Sequence, residues 1–200
     1  MATICVTESV SLDGVMQSPG RSDEDERGGF VHGGWADGYA DDVAMELMGE
    51  GMAESAGMLL GHRSYLDLLG HWTTTPEPNP FGDYMTQTPK WVASRSAETV
   101  LAYANSTLLV GEATETVTAL KEQVDGQLTV IGSGELVRSL HAAGLVDQFF
   151  LQIHPIVLGA GKRLFEEGDR ADLHLERSAT STTGVLIAQY AAEGTSTRSD

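Results

Sequence analysis

The sequence holds a single cysteine, Cys5, in 200 residues, which excludes an internal disulfide and any zinc site built on several thiolates. Cations are also scarce: 12 Lys and Arg stand against 29 Asp and Glu, leaving a formal net charge of −17. Nucleic-acid surfaces need clustered cations, and anionic bilayers attract the same residues, so neither partner suits this balance. No apolar run approaches the ~18 residues that a membrane helix requires. The start, Met1-Ala2-Thr3-Ile4, lacks the charged and long apolar parts of a secretory signal, so the expected location is cytoplasmic. The six histidines show no paired spacing, and no metal is expected. What remains is globular in composition, with 41% hydrophobic residues, and implies one domain over residues 2–192 followed by a disordered tail at 193–200.

Periodicity supplies the elements. Ala2 to Thr7 is short and β-branched, as a buried strand requires. Between Gly14 and Tyr39 the pattern vanishes among seven glycines and the run Arg21-Ser22-Asp23-Glu24-Asp25-Glu26-Arg27, which reads equally as a functional lid or as a loose loop. Ala44, Leu47, Met48, Gly51 and Met52 then follow helical spacing behind Asp41 and Asp42, both suited to capping. Met58-Leu59-Leu60 is a short strand running directly into a helix from His62 to Leu69. Four of the six prolines fall between Thr73 and Pro89, which predicts a second long loop.

Further strands are expected at Trp91–Ser94, Thr107–Val110 and Leu128–Ile131, with helices at 116–124 and after Gly132, the latter stopped by Gly144. Gln148 to Leu158 reads as nearly continuous strand, and 173–179 and 185–192 add two more. Early alternation of strand and helix followed by adjoining strands predicts an α/β fold: a mixed, mostly parallel sheet with antiparallel C-terminal strands and helices on both faces.

Three strand ends carry polar clusters. Val130-Ile131-Gly132-Ser133-Gly134-Glu135-Leu136 passes from strand through small residues into a helix, where backbone amides can meet a phosphate; tight turns also need glycine for steric reasons alone. Gly61-His62-Arg63-Ser64-Tyr65 places a cation at a helix start, against the dipole, which an anion explains better than helix stability does. Ser94-Arg95-Ser96 follows another strand. Open α/β sheets bind ligands at these carboxyl ends. Asp13, in Ser11-Leu12-Asp13-Gly14, is either a substrate-orienting carboxylate or a turn residue.

Five segments occur together and in order: Ser11-Leu12-Asp13-Gly14, Leu60-Gly61-His62-Arg63-Ser64-Tyr65, Lys90-Trp91-Val92-Ala93-Ser94-Arg95, Ile131-Gly132-Ser133-Gly134-Glu135-Leu136 and Pro155-Ile156-Val157-Leu158-Gly159-Ala160-Gly161. With them the chain resembles, over about residues 2–192, the reductase domain of riboflavin biosynthesis, a member of the dihydrofolate reductase-like family. The resemblance implies that fold and an NADPH-dependent oxidoreductase. It implies cofactor contacts at Gly61, His62, Arg63, Ser64, Ser94, Arg95, Gly132, Ser133, Gly134, Glu135 and Leu136, with Arg95 beside the adenosine 2′-phosphate. Asp13 would orient the substrate and Asp42 assist protonation.

The expected reaction is hydride transfer from NADPH to a C=N or C=O bond of a small, phosphorylated pterin- or pyrimidine-like compound. Dihydrofolate reduction and nucleotide binding without turnover remain the alternatives. With one cysteine, the sequence has no C-x-x-C ligands for the zinc deamination that accompanies this reductase in bifunctional relatives. The apolar run Phe149 to Leu158 predicts a homodimer through the C-terminal strands, because a small domain should not leave so much apolar sheet facing water.

Overall fold

Alternation along the first strand, β1 (Thr3–Ser11), turns Ile4, Val6 and Val10 to one face of the sheet and Cys5 to the other. The strands that follow are β2 (Ser55–Gly61), β3 (Lys90–Ser94), β4 (Ser106–Val110), β5 (Gln127–Ile131), β6 (Gln148–His154), β7 (Leu173–Thr180) and β8 (Leu186–Ala192). In the computed structural model, which describes residues 1–76 and 79–193, they form one sheet of order β4-β3-β2-β5-β1-β6-β8-β7. Pairing is parallel from β4 through β6 and antiparallel at β6–β8 and β8–β7. The mixed sheet has the form expected from the sequence.

Helices α1 (Asp42–Glu54), α2 (His62–Trp72) and α3 (Pro80–Gln87) cover the face that carries Cys5, Met58 and Leu60. Helices α4 (Ala113–Gln123) and α5 (Gly134–Ala142) cover the other, where Ile4, Val6, Leu59 and Leu128 meet Val117, Leu120, Val137 and Leu140. Gly144 stops α5 as expected: at φ +66° it takes a conformation costly for L side chains, its N–H donates to His141 O at 2.9 Å, and the next N–H reaches Leu140 O.

Three expectations are corrected. β1 runs to Ser11, four residues beyond Thr7, because parallel pairing with β6 continues through Ser11↔His154. The strand expected over 148–158 ends at His154, since Pro155 has no N–H to extend the ladder. The 73–89 segment, of which 77 and 78 lie outside the described residues, contains α3. Pro80 sits at the first helical position, where a missing N–H costs nothing, and Asn79 Oδ1 accepts from Gly82 N at 2.9 Å. Lys90, fully buried, closes the other end of this helix: its Nζ donates to Met85 O and Thr88 O, each at 2.7 Å. Burial pushes its amine below the usual lysine value.

Phe149, Phe150 and Leu151 are buried within a single chain, on β6 between β1 and β8, whereas Val157 of the same run is exposed. Of the expected tail, Glu193 still donates its N–H to Asp172 O at 3.1 Å, and 194–200 lie outside the described residues.

Candidate functional site

Because β2, β3 and β5 are parallel, their carboxyl ends open on one edge of the sheet. A cleft of about 920 Å³ lies there, near the upper end of the ~300–1,000 Å³ typical of small-molecule sites. The structure brings together all three polar clusters singled out in the sequence. Gly61, His62, Arg63 and Ser64 line the cleft from the β2–α2 junction, Ser94 and Arg95 from the end of β3, and Gly132 through Leu136 from the β5–α5 junction.

Neither α2 nor α5 has a side-chain cap at its start, so the first-turn amides keep their donor capacity for a ligand. The turn into α5 passes through two successive left-handed residues, Gly132 at φ +64° and Ser133 at φ +66°. A serine in that region is strained, and a hydrogen bond helps hold it there: Ser133 Oγ accepts from Gly61 N at 2.9 Å, locking the two junctions together.

The loop between β1 and α1 forms one wall of the cleft. Arg21 reaches Asp67 on α2 at 2.5 Å, Arg27 reaches Glu135 on α5 at 3.4 Å, and Lys162 reaches Asp25 at 3.3 Å. Gln17 Nε2 donates to Asp25 O and Arg27 O, and Trp35 Nε1 donates to Gln17 O. These contacts tie the segment to the rest of the domain, so it is not loose. Asp25 feels burial that would raise its pKa, but Arg27 outweighs it and the carboxyl falls to about 2. Two further cleft cations are paired across or beside it, Arg95 with Glu112 and Arg138 with Glu166, whereas Arg63 makes no ion pair with any described residue. An unpaired guanidinium beside an uncapped helix start suits an anionic ligand group.

Asp13 does not line the cleft. Its carboxylate accepts from Leu158 N at 3.0 Å, Gly159 N at 2.9 Å and Ser11 Oγ at 2.7 Å, with Arg163 alongside at 3.5 Å. The Leu158 amide, followed by the Ser11 hydroxyl, holds it well below the usual carboxylate range. The expected substrate-orienting carboxylate is therefore placed as a clamp between the end of β1 and the loop after β6. Asp42 is exposed in the first turn of α1 and also lies outside the cleft, while Asp41 Oδ1 caps that helix by accepting from Ala44 N at 2.9 Å.

The sequence reading missed Glu8. It stands on the apolar face of β1 with Ile4, Val6 and Val10, is 5% exposed, and lines the cleft. Its Oε1 has no hydrogen-bond partner. Burial, aided by the charge of Glu24, pushes its carboxyl well above the usual range. The signal was available: a carboxylate at the third inward position of a strand whose other inward residues, Ile4, Val6 and Val10, are apolar.

The family model for the RibD C-terminal domain matches residues 2–187. Over 77 residues the chain is 36% identical to the uncharacterized protein YyaP of Bacillus subtilis, an alignment covering 38% of this chain and 41% of that protein. The chain superposes on a putative riboflavin biosynthesis protein from Shewanella sp. PV-4 with a TM-score of 0.68 and 21% identity, covering 96% of this chain and 99% of the other. A diaminohydroxyphosphoribosylaminopyrimidine deaminase/5-amino-6-(5-phosphoribosylamino)uracil reductase from Thermotoga maritima gives 0.64 at 12% identity, covering 96% of this chain and 57% of that one. The chain thus spans a little over half of the bifunctional structure and about two fifths of the curated relative. Among the described residues no cluster of three His, Cys, Asp or Glu suits a metal, and no helix is long and apolar enough to cross a membrane.

Proposed function

We propose, from the premise that the chain belongs to the RibD C-terminal domain family, that it is an NADPH-dependent reductase acting on a C=N or C=O bond of a small, phosphorylated pyrimidine- or pterin-like compound. The observation that carries this reading is the convergence of three strand-end clusters on one cleft bordered by two uncapped helix starts.

The residues present fit a nicotinamide dinucleotide. The first-turn amides of α2 and α5 and the unpaired Arg63 offer donors to its phosphates, and Arg95, exposed at the rim, offers a cation to the 2′-phosphate once it leaves Glu112. When bound, that group supplies the hydride. The chain's own part is to align the two reactants and exclude water, an effect that can lower a barrier by ~7–11 kcal/mol. The loop tethered through Arg21 and Arg27 walls the cleft and performs the second task.

Purified protein is to be titrated with NADPH and then followed at the nicotinamide absorbance with 5-amino-6-(5-phosphoribosylamino)uracil and dihydrofolate. Oxidation with the pyrimidine is expected. Binding without turnover of any compound would leave a nucleotide-binding protein, and absence of NADPH binding would overturn the reading. A homodimer across β7 and β8 belongs to the same proposal. β7 is the edge of the sheet, and Leu175 on it and Leu186 on the neighbouring β8 stand half-exposed. A solution mass twice 21.3 kDa is expected.

A further inference from the structure

From the geometry of the cleft we infer that Glu8 is the proton donor of the reaction, an uncharged carboxylic acid facing the substrate. The inference rests on the reductase reading above, which supplies the hydride but assigns no acid.

The placement argues for it. Inward positions of β1 otherwise carry Ile4, Val6 and Val10, and an acid on that face would normally need a partner for each buried oxygen. Glu8 Oε1 has none, although the side chain is more than nine-tenths buried and borders the cleft beside the Gly132 turn. A structural carboxylate would be expected to carry the compensation seen at Asp13, with its two backbone amides and a hydroxyl. Glu8 has one such contact, with the Gly132 backbone, whose lowering effect is outweighed by burial, so its neutral form is favoured and Oε1 remains available to a ligand.

The surrounding charges act in the same direction. Glu24, on the loop that walls the cleft, opposes ionisation of Glu8 and is itself raised by burial. The cations of that loop side are engaged elsewhere: Arg21 by Asp67, Arg27 by Asp25 and Glu135, and Lys162 by Asp25. Toward α5 stands Arg138, held by Glu166, and toward α2 stand His62 and the exposed Arg63. In the step itself, the O–H bond of Glu8 breaks and its proton goes to the nitrogen or oxygen of the substrate double bond. The substrate carbon accepts a hydride from the reduced nicotinamide dinucleotide, which is oxidised by two electrons. The carboxylate left on Glu8 regains a proton from water.

Two measurements test this. Infrared difference spectra of the ligand-free protein, wild type minus Glu8→Gln, are expected to show a protonated carboxyl at neutral pH that disappears only at higher pH. An ionised Glu8 at pH 7 overturns the inference. In kinetics with NADPH, Glu8→Gln is expected to keep cofactor affinity, lose about 10²–10⁴-fold in kcat, and lose the wild-type fall in rate as pH rises. Glu24→Gln, which removes the repulsion, is expected to move that fall to lower pH. Persistence of the fall in folded Glu8→Gln with NADPH still bound overturns the role of Glu8 alone, whereas no NADPH binding by the wild type overturns the reductase reading. The infrared measurement needs neither cofactor nor substrate and decides the protonation state in either event.

Discussion

The backbone N–H of Gly61 donates to Oγ of Ser133 at 2.9 Å, joining two strand–helix junctions that lie 72 residues apart in the chain. Ser133 has left-handed φ, and this bond is part of what keeps it there. Ser133→Ala leaves the same φ without the bond, so a loss of ~0.5–1.5 kcal/mol is expected in urea unfolding. A weaker NADPH affinity should accompany it, because both phosphate-facing turns lose their common strut. An unchanged urea midpoint would show that the strut contributes nothing.

The sequence leaves two reasons open for Gly132, close approach of a ligand or the sterics of a tight turn. At φ +64° its first requirement is conformational, and a Cβ there would meet Ser64 Oγ at an ordinary 3.5 Å. Stability should therefore fall in the order Asn, Ala, Val, with Gly132→Val losing ~1–3 kcal/mol, since Asn tolerates left-handed backbone and β-branched residues do not. Equal denaturation midpoints for the three variants would refute this.

Arg95 pairs with Glu112 at 2.9 Å on an exposed rim, a contact that a phosphate can replace. Arg95→Ala should weaken NADPH about tenfold or more and leave NADH nearly unaffected, as expected for one lost charge-assisted bond to a 2′-phosphate. Calorimetry with both cofactors checks it, and equal losses would remove that role.

Asp13 is held ionised by the Leu158 amide and then the Ser11 hydroxyl, so its pKa in the folded chain lies below that in the unfolded one. Its contribution to stability is present above the unfolded value of ~3.9 and is lost as pH falls through the folded one. Asp13→Asn should lower the melting temperature at pH 7, and the difference from wild type should shrink below pH ~3.9. A difference independent of pH would mean that the charge is irrelevant.

Strands with short, largely apolar and β-branched sequences, such as Met58–Leu60 and Leu128–Ile131, are legible because burial on both faces leaves no charged residue to misread. So are the turns that line the cleft, where glycine and polar residues follow a strand at once. The helix at Pro80–Gln87 is not, since a proline cluster reads as loop unless one proline occupies the first helical turn behind a capping Asn79. Glu8 was missed for a related reason: ending β1 at Thr7 left it outside the inward-facing series. Asp13 was singled out by its place after the strand, but its partners, Leu158 and Gly159, are some 145 residues away and nothing local announces them.

The position of β1 inside the sheet has a consequence for synthesis. Thr3 pairs with Gln127 and Ser11 with His154, so the first strand made has no neighbours until its partners emerge. At ~5–20 residues per second, translating the roughly 120 residues between Thr7 and Ile131 takes about 6–25 s, during which Ile4 and Val6 sit on an unpaired strand, and Val10 waits longer, for β6. Pairings this distant also slow the final closure, because loop entropy must be overcome before the contacts form. A chain cut off before β5 would keep that strand unpaired permanently, and its expected fate is association with other unfinished chains, however stable the completed sheet is.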